Sequence, residues 1–123
     1  MYADEASQIE RLEFSFGEMQ DAGWDPDGDL LWGYFFVDAD VSKLKVLGEH
    51  LESLGYRFVD IGELENESKG PSGKYMLHVE REEIHRPDTL AKRNVALSQL
   101  ASKYNVSAYD GWDAGQVVAP AAI

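Results

Sequence analysis

The sequence predicts a ferredoxin-like α/β sandwich, an α+β fold with a four-stranded antiparallel sheet and one extra helix at the N-terminal end. Three observations lead there. Hydrophobic periodicity alternates along the chain in the order α-β-α-β-β-α-β, and the last six elements form the split βαβ arrangement. Two strand-like runs in the middle are separated by a polar stretch containing Gly70-Pro-Ser-Gly73, which reads as the loop of a long hairpin. The chain has 123 residues, 44% of them hydrophobic and four of them proline. That is enough to bury a core in one domain.

The elements follow in order. Ile9, Leu12, Phe16 and Met19 step by three, four and three residues, the apolar stripe of a first helix opening near Asp4 or Ser7. Residues 21–29 (DAGWDPDGD) collect Gly, Pro and Asp and read as a loop. Residues 30–37 (LLWGYFFV) are aromatic and uncharged, as a well-covered strand requires. Asp38 and Asp40 are candidate caps for a second helix, whose stripe is Val41, Leu44, Leu47, Leu51 and Leu54 and whose end is marked by Gly55. Residues 56–61 and 74–81 are the hairpin strands, with residues 63–74 as their loop. Arg86-Pro87-Asp88 opens the third helix, with Leu90, Leu97, Leu100, Ala101 and Tyr104 on its apolar face. Asn105 suits its left-handed terminus, and residues 106–112 (VSAYDGW) form the last strand. The expected organisation is a single domain: helix 1–22, ferredoxin-like core 30–113, and tail 114–123.

No catalytic, cofactor or metal site is predicted. Without cysteine there is no disulfide, thiolate ligand or Cys nucleophile. Asp25-Pro-Asp27-Gly-Asp29 alternates carboxylates as a calcium loop does, but glycine falls at position four instead of six and Phe36 stands where a bidentate Glu is needed. Gly70-Pro-Ser-Gly73-Lys74 lacks the first glycine and the Ser or Thr of a phosphate-binding loop. His50, His78 and His85 fit no ligand spacing, and solvated or hydrogen-bonded imidazoles are expected. The acidic, weakly apolar start lacks a signal peptide, so a cytoplasmic location is expected.

Charge is the first informative feature. Lys and Arg number 11 against 23 Asp and Glu, a formal net charge of −12, which disfavours phosphate backbones and anionic membranes. The surplus is concentrated: residues 1–40 hold 11 acids and one base, Arg11, whereas residues 41–123 hold 12 acids and 10 bases. A solvated surface accounts for this, and so does a docking face for a basic partner. The second feature is the first strand, where alternation places Trp32, Tyr34 and Phe36 on one side. That row either packs under the first helix or faces a partner or a second copy.

Four stretches resemble the regulator of ribonuclease activity B family, protein inhibitors of ribonuclease E. They are Asp25-Pro-Asp27; Leu54-Gly55-Tyr56 followed by Glu63-Leu64-Glu65; Leu100-Ala-Ser-Lys-Tyr104; and Tyr109-Asp110-Gly111-Trp112. The resemblance runs over residues 9–113 and implies an acidic, cytoplasmic, non-catalytic protein that binds ribonuclease E and modulates RNA degradation. The implied partner region is an Arg-rich segment. On that reading Glu10, Glu13, Glu18, Asp21, Asp25, Asp27 and Asp29 engage the basic segment, with Trp32, Tyr34 and Phe36 as aromatic anchors. The chain differs from many family members in its apolar, uncharged residues 117–123. The alternative is an acidic interaction module of another kind, such as an immunity-type protein neutralising a basic toxin.

Overall fold

The computed structural model describes residues 4–66 and 70–117. Their order is α1 (Glu5–Asp21), β1 (Leu30–Asp38), α2 (Val41–Ser53), β2 (Arg57–Asn66), β3 (Gly70–Glu83), α3 (Pro87–Lys103) and β4 (Ala108–Gln116). The four strands form one sheet in the order β2-β3-β1-β4, every neighbour antiparallel. This is the predicted ferredoxin-like arrangement.

Helix boundaries follow from caps. Asp4 Oδ1 accepts from Ser7 N at 2.8 Å to start α1, and Asp40 Oδ1 accepts from Ser42 N at 2.8 Å to start α2. Gly55 (φ 98°) and Asn105 (φ 57°) follow α2 and α3 in the left-handed region, where a side chain with a Cβ other than Asn or Asp is costly. Asp38, the other candidate cap, does something else. It is buried, and its carboxylate accepts from Asp40 N at 2.7 Å, Ser107 N at 2.8 Å and Ser107 Oγ at 3.0 Å, joining the start of α2 to the approach to β4.

The strands exceed their predicted lengths. β2 continues to Asn66 and β3 begins at Gly70, so most of residues 63–74 is paired strand and not loop. Residues 67–69 of that expected loop lie outside the described residues. β4 runs to Gln116 and begins two residues later than expected, so the structure places residues 114–116 of the expected tail in the sheet. The rest of that tail, residues 118–123, lies outside the described residues.

The core lies between the helices and one side of the sheet. Leu44, Leu47 and Leu51 of α2 are fully buried, as are Leu77 and Val79 of β3, which pair with Phe36 and Tyr34. α2 comes close to the sheet at Gly48, where a Cβ would lie 2.4 Å from the Phe58 ring; only glycine fits there without displacing that ring. α1 rests on α3, and the Asn94 amide donates to Gln8 Oε1 at 2.9 Å across the buried contact. The other side of β1 and β3 carries Leu31, Phe35, Val37, Met76 and His78, all half-buried. There the His78 ring stacks on Phe35 with centroids 4.5 Å apart.

Candidate docking surface

α1 is amphipathic. Gln8, Leu12 and Phe16 are its buried residues, and Phe16 stacks on Trp32 with centroids 5.8 Å apart. Glu10, Glu13, Glu18 and Asp21 are all exposed. The helix stops at Gly23, whose φ of 87° turns the chain back, and Trp24 N donates to Met19 O at 2.9 Å. Trp24 packs against the core and Pro26 is buried, so the loop is pinned at two points. Asp25, Asp27 and Asp29 alternate with those anchors and are exposed. Asp25 Oδ1 accepts from Asp27 N at 3.1 Å, and Gly28 N donates to Asp25 O at 3.1 Å, an Asx turn closed by its own backbone.

The seven predicted carboxylates therefore project from one continuous stretch of chain. Among the described residues none of them makes an ion pair. Arg11 is the one base in that stretch.

The structure does not bring the predicted aromatic anchors to this surface. Trp32, Tyr34 and Phe36 are 0% exposed. Their side of β1 is the one that the helices cover, so packing accounts for the row and surface recognition does not. Trp32 Nε1 donates to Glu83 O at 2.9 Å, and its ring lies against Phe16, His85 and Trp112. Phe36 packs on Tyr109 with centroids 5.2 Å apart. The alternation of the strand was readable; which side the helices take was not.

A different aromatic is at the surface. Phe14 lies on α1 off the apolar stripe and is 70% exposed. Its position outside the period of Ile9, Leu12, Phe16 and Met19 is the signal that marks it in the sequence.

Sequence reasoning also missed a polar cluster inside the fold. Glu83 accepts from Tyr34 Oη at 2.7 Å and from both terminal nitrogens of Arg93, at 2.7 and 3.1 Å. His85 Nε2 lies 3.1 Å from Tyr34 Oη and 3.3 Å from Glu83, and its Nδ1 lies 3.0 Å from Thr89 Oγ1. Arg93 also covers the rings of Tyr34 and Tyr56. Burial pushes the Glu83 carboxyl up, but the hydrogen bonds from His85, Arg93 and Tyr34 outweigh it and bring it down to about 2. Burial and the adjacent Glu83 charge push the Tyr34 hydroxyl up. Glu83 is thus a satisfied anion that holds β3 to β1 and α3.

Among the described residues no three His, Asp or Glu side chains converge as a metal-ligand set. The described grooves include one lined by Leu31, Arg57, Glu80, Arg81 and Gln116, where Glu80 is already paired with Arg57. Another is lined mainly by Ser98, Ser102, Ser107 and Tyr109. In the second, the Ser107 hydroxyl donates to Asp38, whose carboxylate also accepts from the Asp40 and Ser107 backbone N–H groups and so serves as a structural tie.

Comparison with known families settles the kinship. The family model described as Regulator of ribonuclease activity B matches residues 10–114, from within α1 into β4. The chain belongs to the regulator of ribonuclease activity B family. The family's description is regulation of ribonuclease activity, and its match takes in the exposed carboxylates from Glu10 to Asp29. No individually curated protein matches the chain.

Proposed function

We propose that this protein binds ribonuclease E, or a related endoribonuclease, and lowers its activity by occupying a basic segment that otherwise engages RNA. The observation that carries this reading is the run of seven exposed carboxylates between Glu10 and Asp29, without ion-pair partners among the described residues. The family supplies the class of partner, a ribonuclease. An exposed ion pair contributes only about 0.2–1 kcal/mol, so affinity requires several acting together and falls as salt screens them. The same charge repels RNA, so the target is the enzyme and not its substrate.

Immobilised protein is expected to retain purified ribonuclease E at low salt and to release it as salt rises. Charge reversal at Asp25, Asp27 and Asp29 together is expected to reduce retention at least tenfold. Retention that ignores both salt and these substitutions would rule out the acidic surface as the docking site.

A further inference from the structure

Resting on that reading, we propose that Phe14 anchors an arginine side chain of the partner, with the guanidinium stacked on the ring and hydrogen-bonded to the carboxylates of Glu10 and Glu18. Phe14 is 70% exposed, and among the described residues every other aromatic ring is buried or half-buried. Glu10 precedes it by one helical turn and Glu18 follows by one turn, so the ring and the two carboxylates share the outward face of α1. Gly17 lies beside them. A Cβ there would meet nothing within 4 Å, so packing does not account for a residue that weakens the helix.

The chemistry selects the occupant. An apolar side chain seated on Phe14 would strip water from Glu10, Glu13 and Glu18 and return nothing to them. A phosphate would be repelled by the same groups. Lysine satisfies the charge but is a compact, strongly hydrated point. Arginine lays a flat, weakly hydrated cation on the ring and directs a fork of N–H donors at the flanking carboxylates. The surface is therefore suited to arginine over lysine at equal charge.

Binding of two synthetic peptides, octa-arginine and octa-lysine, to the full chain tests this. The wild-type protein is expected to prefer the arginine peptide by a factor of about 2–5, the range for an exposed cation–ring contact. Phe14→Ala is expected to remove most of that preference while leaving residual, salt-sensitive binding of both peptides. Phe14→Tyr is expected to keep it. Because the side chain is exposed, both variants should retain the wild-type circular dichroism spectrum and melting temperature. A Phe14→Ala protein that folds and keeps the full arginine preference overturns the anchor. If it does so while charge reversal at Asp25, Asp27 and Asp29 still abolishes ribonuclease retention, the docking surface stands and only the anchor falls. A wild-type protein that retains no ribonuclease, yet shows a Phe14-dependent arginine preference, leaves the anchor standing and removes the proposed target.

Discussion

Glu13 and Glu83 carry the same carboxylate in opposite circumstances. Glu13 projects from α1 into solvent, one of seven such groups without an ion pair among the described residues. Glu83 is surrounded by Tyr34, Arg93 and His85 and held at about 2. Asp38 resembles Glu83, since burial raises its carboxyl but the bonds from Asp40 and Ser107 prevail and lower it. Glu83 and Asp38 are thus consumed by the fold, whereas the seven carboxylates from Glu10 to Asp29 are left over by it. Net charge alone does not separate the two; hydrogen-bond partners do.

The largest effect expected from breaking this contrast is at Glu83. Glu83→Gln leaves Arg93 without its counter-ion and is expected to cost about 3 kcal/mol in urea denaturation at neutral pH. Its pH dependence gives a second signature. Because the folded-state carboxyl lies below its ordinary value of 4.5, its stabilisation is complete above about 4.5 and is lost as pH falls towards about 2. The wild-type protein should lose stability through that window, and Glu83→Gln should show a flatter acid limb. An unchanged acid limb would place the acid sensitivity elsewhere. Next comes Asp38→Ala, which strands the Ser107 and Asp40 amides. A loss of about 1–2 kcal/mol is expected, with faster hydrogen exchange at those two amides. The smallest stability effect belongs to the other side of the comparison. Neutralising Asp25, Asp27 and Asp29 to Asn should change stability by no more than about 0.5 kcal/mol while weakening ribonuclease retention. A large destabilisation there would show that these groups, too, serve the fold.

Legibility in the sequence follows the same division. Helices announced themselves because their ends depend on local chemistry: Asp4 and Asp40 cap, and Gly55 and Asn105 accept a positive φ. The strand order emerged from the sequence of elements. The outer hairpin arms did not, since Glu63 and Glu65 are exposed on β2 and carry no apolar alternation to betray pairing. The acidic stretch was legible because charge concentration is a property of sequence. The role of Glu83 was hidden, because Arg93 reaches it from α3 and nothing near Glu82-Glu83 in the chain signals that meeting. Phe14 was visible as a departure from period, once the rest of its helix was known to be buried on the opposite side.

The position of β1 in the sheet also bears on how the chain acquires its fold. Both neighbours of this central strand come later: Tyr34 lies opposite Val79 on one side and Trp112 on the other. During synthesis, therefore, the row of Trp32, Tyr34 and Phe36 emerges long before β4 can flank it, a non-local closure of the kind that slows folding and exposes aggregation-prone strand. The segment leading into that strand, residues 1–29, holds nine acids and a single base. Mutual repulsion between growing chains thus acts at the point where an apolar strand waits for its partners, in the manner of flanking gatekeeper charges.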